Sequence, residues 1–182
     1  WDDAEPYLKE LPIESAAKIV SEMDSDDAVD VLEEMDATTK HKIVGMLDKE
    51  ASDDVRLLFS YDDDEIGSRM TTNFIMIHNH LTIRQAMREL VEQAGENDNI
   101  STIYVIDEED KFYGAIDLKD LIIAREYTDL EDIISHSYPY VMDHEKVSDC
   151  IDKIRDYAED SIPVLQENGT IAGIITKNRM AK

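Results

Sequence analysis

The segment FSYDDDEIGSRMT, residues 59–71, decides the fold because it joins two different repeat patterns. Before it, short apolar-periodic stretches recur every twelve residues, which is typical of small helices. After it, apolar runs and amphipathic stretches alternate and occur twice, which is typical of strands combined with helices. We therefore expect an all-α region followed by a repeated α/β region, with the acidic run as the connection between them.

The twelve-residue pattern predicts several short helices that stack side by side. Its joints are Leu11-Pro12, Met23-Asp24, Met35-Asp36 and Leu47-Asp48. A polar residue after each joint can begin a helix, so we expect helix caps or starts at Ser25, at Thr38 or Thr39, and at Ser52. Because helices this short are marginal alone, they are expected to form a small right-handed superhelix.

The second pattern is a longer repeat with two copies. Residues 70–90 align with residues 134–154, and Gly114-Ala115-Ile116 aligns with Gly173-Ile174-Ile175. The first copy carries five extra residues near positions 95–99, which is consistent with a longer loop. Each copy predicts the order strand, helix, strand, turn, strand, helix, and the last helix of the second copy is barely begun.

These patterns predict three domains: residues 1–65 are helical, residues 66–132 form the first α/β copy, and residues 133–182 form the second. The chain begins at Trp1 within helix-like sequence and stops at Lys182 directly after a strand pattern. We expect the helical domain to be truncated at its start and the second copy at its end, so that the chain is a fragment of a larger protein.

The charge of the chain indicates which partners are favourable. The chain carries 43 acidic and 18 basic residues, a formal net charge of −25, while 42% of its residues are hydrophobic. So negative a surface disfavours DNA, RNA and anionic lipid and favours cations.

Cys150 is the only cysteine, which excludes an intrachain disulfide, and no apolar run is long enough for a membrane helix.

Two resemblances follow from these repeats. The second repeat resembles a tandem pair of cystathionine-β-synthase-type (CBS) domains, through Met70-Thr71, Ser161-Ile162-Pro163-Val164 and the two glycine-containing strand ends. Together with the helical repeat, the segment at residues 59–71 is similar to the MgtE magnesium channel family. This resemblance implies a homodimer through the CBS domains, a membrane pore beyond this fragment, and a location at the cytoplasmic face of the cell membrane.

The MgtE resemblance also implies a Mg²⁺ site. Asp26 and Asp30 are four residues apart on one helix face, and the family uses two such aspartates to hold Mg²⁺ between its helical and CBS domains. The Gly67 carbonyl is a further candidate ligand. On the partner side the chain departs from the family, because Arg179 stands where an acidic residue is usual. Without the resemblance, acidic residues in a first helical turn need no metal, since they complement the helix dipole.

The alternative function is an adenine-nucleotide-sensing CBS module. CBS nucleotide sites typically use a Gly-x-Ile-Ser/Thr-x-x-Asp pattern, in which the hydroxyl faces phosphate and the aspartate faces ribose. The first copy keeps Asp120, preceded by Lys119, but has Asp117 at the hydroxyl position. The second copy keeps Thr176 but has Arg179 at the aspartate position. The candidate cofactor-binding residues are Lys119, Asp120 and Thr176, and the cofactor would be ATP or another adenine nucleotide.

An enzyme is not indicated. The sequence contains no P-loop, nucleophile elbow or zinc-binding helix motif. His78 and His80 alternate along a strand pattern and could bind a metal, but an exposed strand edge explains them as well. Cys150 occupies the apolar face of a predicted helix, as a core residue would. A protein scaffold whose acidic faces contact a basic partner remains a third class of function.

Overall fold

A computed structural model describes residues 12–177 and shows two compact units that divide between Asp63 and Asp64. Over its described residues the first unit contains helices and short connections, and the second combines strands with helices. None of the described helices is long and apolar enough to cross a bilayer. A helical region followed by a repeated α/β region confirms the predicted fold class.

The described part of the first unit consists of four short helices: α1 (Ile13–Ser21), α2 (Ser25–Glu33), α3 (Ala37–Met46) and α4 (Lys49–Phe59). Helix α2 packs against α4, and α1 packs against α3. Each contributes to a shared core, in which Val20, Leu32, Ile43 and Val55 are almost completely buried. Because each helix spans only about three turns, this burial contributes more to stability than helix propensity does.

Aspartates at two of the joints, Asp36 and Asp48, cap the helices that follow them through their side chains. The Asp36 carboxylate accepts a hydrogen bond from the Thr39 N–H at 3.0 Å. At the next joint, the Asp48 carboxylate accepts one from the Ala51 N–H at 2.8 Å. Each bond satisfies a backbone donor in the first turn that has no partner within the helix.

The helix starts expected from the sequence are therefore a few residues too late. The helices begin at Ser25, Ala37 and Lys49, whereas a start at Thr38 or Thr39 and another at Ser52 were expected. The aspartates of the joints, rather than the hydroxyl residues after them, occupy the N-cap positions. Both residue types are good caps, so composition alone does not distinguish them.

The second unit contains two three-stranded sheets of the same design: β1 (Ile75–His78), β2 (Thr102–Ile106) and β3 (Phe112–Asp117), then β4 (Val141–Met142), β5 (Ser161–Leu165) and β6 (Ile171–Thr176). In each sheet the first strand is parallel to the second, which is antiparallel to the third. Helix α5 (Ile83–Ala94) connects β1 to β2, α6 (Leu118–Ile123) follows β3, and α7 (Val147–Arg155) connects β4 to β5.

The two copies share local irregularities as well as strand order. The register shifts after Val105 in the first copy and after Val164 in the second. Asp110 and Gly169 occupy equivalent turn positions and both have positive φ, of 64° and 91°. Equivalent irregularities at equivalent positions confirm the internal repeat.

The copies exchange their leading segments. Thr71, which precedes β1, pairs with Ile174 on β6 through two backbone hydrogen bonds of 2.8 and 2.9 Å. Ser135, which precedes β4, pairs in the same way with Ala115 on β3, at 2.8 and 3.1 Å. Each sheet is therefore extended by the other copy, and the pair forms one interlocked unit.

Two equivalent glycines permit this exchange. A Cβ on Gly114 would lie 2.5 Å from the Ser135 carbonyl oxygen, and one on Gly173 would lie 2.8 Å from the Thr71 carbonyl oxygen. Both distances are too short for a real side chain. Glycine is needed at both positions because another backbone passes directly over it.

Candidate metal centre and inter-repeat cleft

Asp26 lies in a group of three carboxylates at the start of α2. One carboxylate oxygen each from Asp24, Asp26 and Asp27 lie within 4.8 Å of one another. The Asp26 side chain is buried at 8% exposure, whereas Asp30 is exposed and lies outside this group. Carboxylate oxygens are the ligands that Mg²⁺ prefers, so the donor set suits this ion.

Sequence reasoning selected Asp26 and Asp30 and did not select Asp24 as a ligand. Asp24 is the N-cap residue of α2, but unlike Asp36 and Asp48 its side chain accepts no capping hydrogen bond from that helix. Its carboxylate lies close to those of Asp26 and Asp27. A signal for this group is present in the run Asp24-Ser25-Asp26-Asp27, in which three of four residues are acidic.

The far end of α2 is also electronegative. Burial raises the pKa of Glu33, and the nearby charges of Asp63 and Asp30 raise it further, while Lys40 lowers it. A neighbouring negative charge raises the pKa of a carboxyl group because it repels the ionised form of that group. A bound cation would reduce that repulsion, because it places positive charge between like charges.

Gly67, the third predicted metal ligand, lies in the second unit. It belongs to a 3₁₀ turn, Ile66–Arg69, and its N–H donates to the Asp143 carbonyl at 2.9 Å. Its own carbonyl accepts a long contact, 3.5 Å, from the Met70 N–H in that turn. A carbonyl oxygen has two lone pairs, so Gly67 retains acceptor capacity. The metal roles of Asp26, Asp30 and Gly67 stay predictions.

The acidic segment before Gly67 is held on the loop between β4 and α7. Lys146 Nζ donates to Asp64 at 2.9 Å, which lowers the pKa of that carboxyl. His144 Nδ1 lies 2.6 Å from a Glu65 carboxylate oxygen, and this hydrogen bond, together with the Asp143 charge, raises the pKa of His144. The segment that leads into the first copy is therefore anchored on the second copy.

A cleft of about 400 Å³ lies between the two copies. Its described lining comes from the start of β2, from β3, from helix α6, and from the segments before β4 and β5: Ser101, Thr102, Ala115, Asp117, Asp120, Ile133, Ser135, Tyr138, Ala158, Glu159 and Asp160. Apolar groups and hydroxyls form part of the wall, and four carboxylates form the rest. The cleft is large enough for a small organic ligand.

The predicted cofactor-binding residues are distributed unevenly around this cleft. Asp120 lines it, whereas Lys119 has an exposed side chain and is not among the described lining residues. The Lys119 backbone N–H donates to the Asp117 carboxylate at 3.3 Å. Thr176 lies at the end of β6, in register with Ser161. Arg179 lies outside the described residues, so its predicted effects on metal and nucleotide binding stay predictions.

The remaining candidates form no catalytic group in the described part of the chain. His78 contacts Asp110 at 3.2 Å, and its ring is 5.6 Å from that of His80. Cys150 is buried on α7, and its thiol donates to Glu145 at 2.9 Å. Burial, together with this hydrogen bond, raises the pKa of Cys150 to about 12, which makes the thiol unreactive.

The fold and its repeats define a class of protein, a CBS-domain pair with an N-terminal helical domain. Residues 2–64 match the MgtE intracellular N domain, and residues 64–127 and 130–182 match the CBS domain. The chain belongs to the MgtE family of magnesium transporters.

Comparisons with individual proteins agree with this assignment. The magnesium transporter MgtE of Bacillus subtilis is 30% identical over 88% of this chain and 36% of its own length. A crystal structure of the soluble part of a magnesium transporter matches 99% of this chain and 70% of its own, at 32% identity and a TM-score of 0.92. The cytosolic domain of the Mg²⁺ channel MgtE in complex with ATP matches 99% of this chain and 74% of its own, at 28% identity and a TM-score of 0.90. The chain spans about a third of the length of the curated relatives it matches.

Proposed function

We propose that this chain is the Mg²⁺-sensing regulatory region of a magnesium transporter or channel. The observation that carries the proposal is the group formed by Asp24, Asp26 and Asp27, in a helical unit that belongs to the MgtE family. Sensing requires binding rather than catalysis. The whole protein would add a membrane pore, and this region would act at the cytoplasmic face of the membrane as a homodimer through its CBS domains.

The proposed mechanism is the relief of repulsion between carboxylates. At high Mg²⁺ the ions neutralise the acidic residues and favour a compact state, and at low Mg²⁺ repulsion favours an open one. Two like charges 4 Å apart cost about 1 kcal/mol in water and about 4 kcal/mol at an effective dielectric constant of 20. Moving a gate from 1:99 to 99:1 takes about 5.5 kcal/mol, so several sites must act together.

Magnesium itself suits such sites. Mg²⁺ retains most of its water and is commonly bound through one or two carboxylates, so its affinity for sparse acidic groups is weak. Asp26 and Asp30, with the Gly67 carbonyl, remain the ligands proposed from the family resemblance.

Thermal denaturation tests the metal site. Mg²⁺ at ten times its dissociation constant should stabilise the folded chain by about 1.4 kcal/mol, because it binds the native state. Asp26→Asn combined with Asp27→Asn should remove most of this gain. The matched control is Asp53→Asn, which removes one exposed carboxylate from α4 and should leave the gain unchanged. An undiminished gain in the double variant would contradict the assigned site.

A second candidate function is adenine-nucleotide sensing at the inter-repeat cleft. It is favoured by the size of the cleft and by the position of Asp120 on its wall. A relative of this chain has been crystallised with ATP. Calorimetric titration with ATP, ADP and AMP would test this candidate, and the absence of binding by all three would exclude it.

A further inference from the structure

Two histidines at the end of β1 lie side by side, and neither proposed function uses them. His78 is the last residue of β1, and His80 follows in the turn that leads to α5. Between them, the Asn79 N–H donates to the Ile106 carbonyl at 2.9 Å, which fixes the backbone of the pair against β2. The ring centroids of the two histidines are 5.6 Å apart, so the imidazoles are neighbours.

This separation suits two imidazoles that share one metal ion. An imidazole nitrogen binds Zn²⁺ at about 2.1 Å, and the ring centre lies about 1.2 Å beyond that nitrogen. Two rings at a tetrahedral angle on one ion therefore have centroids about 5–6 Å apart. The observed distance lies in this range, and the ring planes are inclined at 47°, so the rings are not stacked on each other.

Asp110 orients the first ring of the pair. Its carboxylate oxygen lies 3.2 Å from His78 Nε2. An ionised carboxylate only accepts hydrogen bonds, so Nε2 carries the hydrogen and Nδ1 of the neutral ring keeps its lone pair for a metal. Metal-binding histidines in proteins commonly donate their other nitrogen to a carboxylate in this way. Asp110 is therefore a positioning residue and not itself a ligand.

The second copy carries different residues at the three equivalent positions: Met142, His144 and Gly169. Its histidine contacts Glu65 instead, at 2.6 Å. Asp110 has a φ of 64°, which is uncommon for residues other than glycine, and its counterpart in the second copy is a glycine. The first copy thus combines two neighbouring imidazoles with a carboxylate that the turn itself does not require.

The charge and chemistry around the pair favour a transition metal. The β2–β3 turn contains four consecutive acidic residues, 107–110, which attract cations. Lys111, the next residue, is paired with Glu109 at 3.3 Å. Imidazole is a preferred ligand of Zn²⁺, Ni²⁺ and Cu²⁺, whereas Mg²⁺ prefers oxygen and retains most of its water. The histidine pair is therefore chemically distinct from the carboxylate group on α2.

We propose that His78 and His80 bind a divalent transition-metal ion such as Zn²⁺, with Asp110 positioning His78 and water completing the coordination. Through these contacts the ion would hold the end of β1 to the β2–β3 turn. The proposal goes beyond Mg²⁺ sensing and is independent of it, because its ligands are nitrogen atoms of the first CBS copy.

Proton NMR of the full chain during titration with Zn²⁺ tests the proposal. An excess of Mg²⁺ is present throughout, because it competes for carboxylates and not for imidazoles. The chain has five histidines, and the ring signals of His78 and His80 are assigned from their loss in His78→Gln and His80→Gln. These two signals should shift together and saturate at one ion per chain. Equal shifts of all five histidines would show an adventitious ion only and overturn the proposal, as would the absence of any shift.

Calorimetric titration with Zn²⁺ identifies the contribution of each residue. Asp110→Asn should weaken binding by about tenfold, because the histidine loses its carboxylate partner while asparagine still tolerates positive φ. His78→Gln and His80→Gln should each weaken it further, because a ligand is lost. The matched control, His41→Gln, removes an exposed histidine from α3 and should leave the affinity unchanged. Wild-type affinity in either ligand variant would overturn the site, and wild-type affinity in Asp110→Asn would overturn the positioning role.

Discussion

The hydroxyl of Tyr104 lies 2.5 Å from the Oγ of Ser161, so that a buried hydrogen bond joins β2 of the first CBS copy to β5 of the second. Tyr104 is completely buried, and burial raises its pKa. Its ring meets those of Phe74 and Tyr138 edge to face, each with a centroid distance of 5.9 Å. One side chain therefore connects both copies through polar and aromatic contacts.

Removing this hydroxyl should weaken the CBS pair. We expect Tyr104→Phe to lower the free energy of unfolding by about 1–2 kcal/mol, because the hydrogen bond is lost and the buried Ser161 hydroxyl loses a partner. Urea denaturation measures the change. Tyr127→Phe is the matched control, since Tyr127 is 81% exposed and its loss of a hydroxyl should have no effect. Equal stability of the two variants would contradict this role of Tyr104.

Substitution of alanine for glycine should have opposite effects on stability at Gly173, where an exchanged segment passes over the backbone, and at Gly45, where no such segment lies. Gly173→Ala should destabilise the chain by about 1–3 kcal/mol, because the new methyl group would be forced against the Thr71 carbonyl. Gly45→Ala, on α3, should instead stabilise it by about 0.5–1 kcal/mol, because open space surrounds that position and alanine favours helix. Thermal denaturation distinguishes the two, and a neutral Gly173→Ala would show that the strand exchange is not tightly packed.

The capping aspartates of the helical unit can be tested separately. Asp36→Ala should cost about 1 kcal/mol of stability, because the Thr39 N–H loses its acceptor. Asp36→Asn should preserve stability, since asparagine caps a helix as well as aspartate does. Chemical denaturation followed by circular dichroism measures both. If alanine and asparagine were equally destabilising, the effect would come from charge rather than from capping.

The raised pKa of Cys150 predicts a protected thiol. With a pKa of about 12, almost none of the group is thiolate at pH 8, and the side chain is fully buried. A thiol reagent such as dithionitrobenzoate should therefore react with the native chain many times more slowly than with the chain unfolded in urea. Reaction at similar rates in both states would show that α7 does not bury this residue.

Much of the fold follows from periodicity in the sequence. The offsets that align Ile77 with Val141 and Gly114 with Gly173 correctly predict the two sheets. Strands leave runs of apolar residues in the sequence, and close backbone contacts leave glycines at equivalent positions. The pairing of Thr71 with Ile174 was not predicted, since the partners are about a hundred residues apart and no local pattern marks a contact between such distant segments. Long-range pairing is a property of the folded chain.

The candidate metal centre shows a similar limit. Helical spacing predicts that Asp26 and Asp30 share a face, but it applies only within a helix. Asp24 lies just before α2, where the chain turns, so its approach to Asp26 depends on the backbone of the joint. In the cleft, the substitution of Asp117 for a hydroxyl was visible in the sequence, whereas Glu159 joins it only through folding of the second copy.

The most direct test of the proposed Mg²⁺ sensing is small-angle X-ray scattering of the full chain with millimolar Mg²⁺ and with EDTA. Ca²⁺ and NaCl at matched ionic strength serve as controls, because salt alone also screens exposed charges. The proposal predicts a smaller radius of gyration with Mg²⁺ than with EDTA or matched NaCl, and loss of this difference in the Asp26→Asn, Asp27→Asn variant. Identical scattering profiles with Mg²⁺ and EDTA would contradict it.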